Sequence, residues 1–266
     1  MKNKLPESIS IDLFTKFNEV KFYDEPHKYY IDNQELISVT TLIHQYQNSF
    51  DENYWADFKA QQFDLPVYKI KRAWDFINKK GTMKGSIIHD YAENLFYNKV
   101  FEYPERKIIN EFGFDPIIKE YEITKNHVDK FWTDTKDRLI PIKMELVVYD
   151  KESLIGGMLD CLFYNVRAKE LQIWDNKTNK QFSFNNERGD KLTGCLSTLE
   201  DCDIEIYSLQ LEFYKQIIQR NTNLKLGKSF VVWFSHNNPS YEVIETKNRE
   251  FYINNIIEER IESIAA

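Results

Sequence analysis

Ile142-Lys-Met-Glu-Leu-Val-Val-Tyr149, Gly157-Met-Leu-Asp-Cys-Leu-Phe-Tyr164 and Leu171-Gln-Ile-Trp-Asp175 follow one another with little between them. Each has the length and the β-branched or aromatic content of a strand, and turn residues set each one off. The gaps are too short for crossover helices, so the sheet they build is mixed rather than purely parallel. Before them, Met83, Ile87, Tyr91 and Leu95 recur every fourth position, which predicts an amphipathic helix to about Tyr97. After them comes a helix from about Asp203 to Gln219, then a hairpin of Ser229–Phe234 and Tyr241–Glu245. A terminal helix from about Asn248 carries Ile253, Ile257, Ile261 and Ile264 on one face. Helix, three strands, helix and two strands predict an α/β core with a central mixed sheet flanked by helices.

The flanking segments read less sharply. Val20 to Ile31 predicts two short strands around a turn at Asp24–Pro26, with a second turn at Asp32-Asn33 and a capped helix start at Ser38. Residues 51–80 are helical in pattern with an interruption at Pro66. Gly81-Thr82 is expected to end that run, with Thr82 as the N-cap of the next helix. Residues 99–139 are irregular apart from a helix around His127–Asp137, and Gln181–Leu192 is a polar loop. No internal repeat or linker is visible. The expectation is one domain over residues 1–266, a hairpin and helical segment (about 1–80) packed on a core (about 81–266).

Composition narrows the function. Apolar content of 42% and charged content of 29% are those of a soluble globular chain. No stretch approaches a membrane span, and Met1-Lys-Asn-Lys-Leu-Pro6 has no apolar block behind it, so no secretory signal is expected. Cys161, Cys195 and Cys202 are too few for a disulfide framework or a four-thiolate cluster, which suits a reducing, cytoplasmic setting. No Gly-x-x-x-x-Gly-Lys-Ser/Thr loop occurs, so no nucleotide cofactor is expected. The net charge of −7 argues against an all-basic nucleic-acid binder but leaves room for a local basic strip. Lys69, Lys71, Arg72, Lys79, Lys80 and Lys84, before or at the start of the amphipathic helix, are the candidates.

The chemistry-bearing residues lie on the predicted core. Asp175 and Lys177 end the third strand two residues apart, on one face, with Cα atoms roughly 6.5 Å apart. A carboxylate and an ammonium so placed can hold a divalent cation and a phosphate oxygen together, or form a plain surface ion pair. Asp160 follows Gly156-Gly157, which either permit a close approach or make a hairpin turn. Asp160 and Asp175 supply hard oxygens of the kind Mg²⁺ and Mn²⁺ prefer, and Glu145 on the preceding strand can add another. His89 lies four residues after Gly85 on the same helix face, where the glycine clears space beside the imidazole. Gln210 and Tyr214 are likewise i and i+4, and both can reach phosphate.

Gly85-x-x-x-His89, Glu145, Gly157-x-x-Asp160, Asp175-x-Lys177-Thr178 and Gln210-x-x-x-Tyr214 occur in an order and spacing that resembles the PD-(D/E)XK nuclease superfamily. The branch it resembles is that of the RecB-type exonucleases, which include phage and mitochondrial single-strand exonucleases, and the motifs span about residues 81 to 214. The resemblance implies a restriction-endonuclease-like core in a phage or phage-like protein, working in the cytoplasm of the host. It implies that His89, Asp160, Asp175 and the carbonyl of Asn176 bind Mg²⁺ or Mn²⁺, that Lys177 is the catalytic lysine, and that Glu145 is a supporting acid. Gln210 and Tyr214 match the helix that borders the DNA path. Asn176 departs from the aromatic residue often found there, and the iron–sulfur cluster of some relatives is absent.

The expected activity is metal-dependent hydrolysis of DNA, as an exonuclease on free ends or single strands. A homo-oligomer, or a recombination or replication partner protein, would accompany it. Two other readings fit the chain: a nuclease-like fold that binds DNA or assembles without turnover, and a host-interaction or inhibitor protein with an acidic surface.

Overall fold

The computed structural model describes residues 13, 16–23 and 28–265. The turn at Asp24–Pro26 and the first six residues lie outside them. Eight strands form one mixed sheet: β1 (Lys21–Tyr23), β2 (Lys28–Ile31), β3 (Gln34–Ser38), β4 (Leu139–Asp150), β5 (Ile155–Asn165), β6 (Glu170–Lys177), β7 (Phe230–Trp233) and β8 (Glu242–Glu245). The strands β4, β5 and β6 pair antiparallel, as their short connections require. β7 lies parallel to β6, reached through a helix, and returns antiparallel as β8. β1, β2 and β3 form an antiparallel meander, with Asp32 and Asn33 both at positive φ in the tight turn.

β5 organises the sheet. β4 occupies one edge along its whole length. On the other edge, β3 pairs in parallel with Ile155 and Gly156, while β6 pairs from Cys161 onward. Between those two partners, at Gly157–Asp160, the sheet forks. Gly156 and Gly157 are therefore inside a strand, and the alternative of a hairpin turn is corrected. A Cβ at Gly156 would come within 2.9 Å of Leu36 Cδ1, so the glycine lets β3 sit close to β5.

Among the described residues, helices with full bounds flank this sheet: α1 (Val39–His44), α2 (Glu52–Phe63), α3 (Val67–Phe96), α4 (Glu105–Phe112), α5 (Ile118–Thr135), α6 (Asp203–Asn221) and α7 (Glu250–Ala265). On one face α1, α6 and α7 bury Leu42, Ile43, Leu209, Phe213, Ile253 and Ile257 against the sheet. On the other, α3 and α5 bury Ile88, Tyr91, Val128 and Phe131. Each such side chain contributes about 1.5–3 kcal/mol of burial, which holds the three layers together.

Caps set several boundaries. Ser38 accepts from Thr41 N–H at 3.0 Å and Asp51 from Tyr54 N–H at 3.0 Å, while Asp115 takes the amides of Ile117 and Ile118 at the start of α5. Asn248 accepts from Glu250 N–H at 3.0 Å at the start of α7.

Three expectations are corrected. The helix does not stop at Gly81-Thr82: α3 runs unbroken from Val67 to Phe96, because one glycine costs only about 1 kcal/mol against the packing of a long helix. Residues 105–112 form α4, bounded by Pro104 and Gly113, and α5 begins well before His127. In α7 Ile256 is buried in the face read for Ile264, which is exposed.

Candidate functional site

The fork in β5 is where the chemistry collects. α3 brings His89 to it, β4 Glu145, β5 Asp160, β6 Asp175 through Lys177, and α6 Gln210 and Tyr214. A cleft of about 650 Å³ opens there, lined by His89, Glu145, Asp160, Gly157, Gln210 and Tyr214, together with Ser38 and Thr40 from the β3–α1 junction.

Glu145 reaches the cleft through an unusual backbone. Its φ is +49°, in the left-handed region that a non-glycine residue enters at a cost of order 1–3 kcal/mol. The ladder pairs Met144 with Cys161 and Leu146 with Leu159, passing over Glu145 and Asp160. Met144 and Leu146, two residues apart, lie in opposite cores, as do Cys161 and Leu159. The strands thus change faces at this pair, and that turn of the backbone aims both carboxylates into the cleft.

His89, Glu145 and Asp160 each offer a ligand atom, and the three atoms lie within 4.8 Å of one another. His89 Nδ1 is 3.4 Å from Asp160 Oδ2 and 3.9 Å from Glu145 Oε1. Ligands of one six-coordinate Mg²⁺ lie about 3–4 Å apart, given bonds near 2.1 Å, so the donor set fits a hard divalent cation in spacing and type. The ring's other nitrogen, Nε2, donates to the Asn176 carbonyl at 2.8 Å, which fixes the imidazole's orientation. The Asn176 N–H donates to Asp160 Oδ2 at 2.7 Å, so the backbone of one residue positions both side chains. The carbonyl expected among the ligands is engaged here as the acceptor that aims His89. Burial disfavours a charged His89, but the Asp160 charge and a hydrogen bond with Glu145 outweigh it and raise its pKa to about 9. Binding a cation at Nδ1 displaces a proton from that ring.

Asp175 is 1% exposed and stands outside this three-residue cluster. Its Oδ2 lies 2.6 Å from Lys177 Nζ. Burial raises its pKa to about 6 despite the lysine beside it. Burial works against the charge on Lys177, yet Asp175 and Asp160 hold its pKa above the ordinary lysine value, so the ammonium stays charged. Its Nζ also sits 4.8 Å from the centre of the Tyr207 ring. Asp160 and Asp175 are near enough for their charges to interact, while the tighter contacts are within two sets. Glu145 joins His89 and Asp160, while Asp175 holds the lysine.

Gln210 Nε2 donates to Tyr214 Oη at 3.3 Å, one helical turn on, and burial raises the Tyr214 pKa so that it remains a neutral phenol. A Cβ at Gly157 would come 2.7 Å from Tyr214 Cε1, so the glycine is what lets the ring approach β5 this closely. Gly85 has a milder role than expected. Its missing Cβ points at Thr178 Oγ1, 3.6 Å away, which is ordinary contact.

The basic strip is not one surface. Lys80 and Lys84 share Glu120 at 2.6 and 3.2 Å, Lys84 is buried, and Lys84 Nζ also lies 3.3 Å from His236 Nδ1. Lys79 and Lys71 pair with acids too. Arg72 is exposed, but seventeen helical residues from His89 place it about 25 Å along α3.

Two residues at the site were missed from sequence. Tyr207 shares a face of α6 with Gln210 and Tyr214 at spacings of three and four, a signal that was present. Lys107, an exposed cation lining the cleft, comes from α4, whose eight residues bury only Ile108 and leave no periodicity to read.

Neither a protein-family model nor a curated protein matches this chain. Similar solved structures include a phage-related exonuclease from Haemophilus somnus 129PT, 12% identical, aligned over 60% of this chain and 75% of that one with a TM-score of 0.32. Another is the protein SSO0001, 12% identical over 66% of this chain and 84% of that one, with a TM-score of 0.25. The functional reading rests on the residues of the cleft.

Proposed function

We propose that the chain is a metal-dependent deoxyribonuclease, acting as an exonuclease on free ends or single strands of DNA. The observation that carries this is the convergence of His89, Glu145 and Asp160 within 4.8 Å, beside the Asp175–Lys177 pair. His89 Nδ1 and the two carboxylates would hold Mg²⁺ or Mn²⁺. Such an ion polarises a phosphoryl oxygen and makes water nucleophilic near neutral pH.

The chain's own groups do the rest. Lys177 carries a fixed positive charge next to the carboxylates, placed to donate to a non-bridging phosphate oxygen as negative charge develops on it. Asp175 keeps that ammonium charged and limits its motion. The Asn176 backbone, through its N–H and its carbonyl, locks His89 and Asp160 in register with each other. Tyr214 and Gln210 supply a hydroxyl and an amide at the cleft wall, where they can hydrogen-bond the backbone of a bound strand. No iron–sulfur cluster or nucleotide cofactor enters this scheme.

The test is digestion of 5′- and 3′-labelled single-stranded, blunt and flapped DNA with Mg²⁺, Mn²⁺ or EDTA. Asp160→Asn and Lys177→Ala should each lower nucleotide release by about a hundredfold or more. Hydrolysis that survives both substitutions and chelation would sink the proposal.

A further inference from the structure

Beyond Lys177 the chain leads directly into a second groove of about 670 Å³, walled by residues 180–188, Trp233 and the segment before α6. Resting on the nuclease reading above, we infer that this groove is a track for single-stranded DNA, holding unpaired bases away from the hydrolysed bond.

Ring contacts connect the groove to the candidate lysine. Lys177 Nζ lies over Tyr207, whose ring centre is 5.6 Å from that of Phe182. Phe182 is in turn 5.6 Å from Trp233 and 5.0 Å from Phe184. The run ends in the open: Phe184 is 54% exposed. An exposed ring at the end of a packed aromatic series offers a π-face to a splayed base, which a base already stacked inside a duplex cannot use.

Cations interleave with the rings. Lys180 is exposed in the groove, and the Arg188 guanidinium lies 5.3 Å over Trp55 of α2. Two of the acids that line the groove are tied into the fold. Asp203 Oδ2 accepts from the Ser183 N–H and hydroxyl at 2.7 and 2.9 Å, and Asp201 Oδ1 accepts from Gln47 at 2.8 Å. Glu187 also faces the groove and opposes phosphate. Stacking therefore contributes more than charge, and binding here has a shallow dependence on salt.

The experiment uses the full chain and fluorescently labelled oligothymidylates, with anisotropy read in EDTA so that no strand is cut. The wild type should bind a long oligonucleotide more tightly than a tetranucleotide. Phe184→Ala should weaken the long one about tenfold, and Arg188→Ala by a smaller factor, with the tetranucleotide unmoved. In Mg²⁺, hydrolysis of the tetranucleotide should be the same in all three proteins. Because Phe184 and Arg188 are exposed, neither change threatens folding. Length-dependent binding that the variants weaken, without hydrolysis in any protein, would uphold the track while the nuclease reading fails. Variants that bind the long strand as the wild type does, or a wild type that does not bind it, would overturn the track even with hydrolysis intact.

Discussion

Gly157 carries a constraint that only a hydrogen side chain meets. A Cβ there would press into the Tyr214 ring at 2.7 Å and come within 3.4 Å of Val39 Cγ2. Gly157→Ala should push Tyr214 off β5 and cost about 1–3 kcal/mol of stability, read as a lower denaturant midpoint. Tyr214→Leu in the same background should recover part of that loss, since it removes the atoms that clash. At this scale the sequence was legible in its identities and less so in its groupings. His89, Glu145, Asp160, Asp175 and Lys177 all come to one place; their chemistry and spacing made them candidates, and the resemblance in their order singled them out. Which carboxylate meets the histidine could not be read, because it depends on a positive φ at Glu145 that no alternation pattern encodes.

At the scale of elements, α3 gives the clearest test. Gly81 lies in the middle of a thirty-residue helix, and a Cβ there would meet nothing within 4 Å. Gly81→Ala should therefore stabilise the protein by about 0.5–1 kcal/mol, seen as a higher midpoint in thermal unfolding, because alanine loses less backbone entropy on forming helix. A fall in the midpoint would mean that the glycine serves a bend absent from the helix described above. Strong periodicity made β4, β5, β6, α6 and the β7–β8 hairpin readable in advance. α5 hid its first turns because Thr124 and His127 occupy core positions where a reader looks for apolar residues. The forked edge of β5 was invisible for a different reason: strand pairing between residues more than a hundred apart leaves no local trace.

For the whole molecule, His127 sets a pH limit. It is buried, its Nδ1 has no hydrogen-bond partner among the described residues, and burial lowers its pKa. A depressed folded-state pKa means that the unfolded chain takes up the proton more readily. The contribution is fully present above the unfolded value near 6.5 and is lost as pH falls. Asp175, raised to about 6, has the opposite sign, its contribution being lost as pH rises through that value. Comparing wild type with His127→Leu cancels the Asp175 effect. The wild type should lose more unfolding free energy than the variant between pH 7 and pH 5; equal losses would remove His127 from the account. No helix among the described residues is long and apolar enough to cross a membrane.

The unbroken course of α3 has a mechanical side. Thirty residues at 1.5 Å each make a rod about 45 Å long. One end packs Ile70 and Trp74 into a small outer cluster with α2, and the other carries His89 into the cleft. The two ends are joined without a break in the helix, so the placing of the imidazole and the packing of the outer cluster are set by one continuous element.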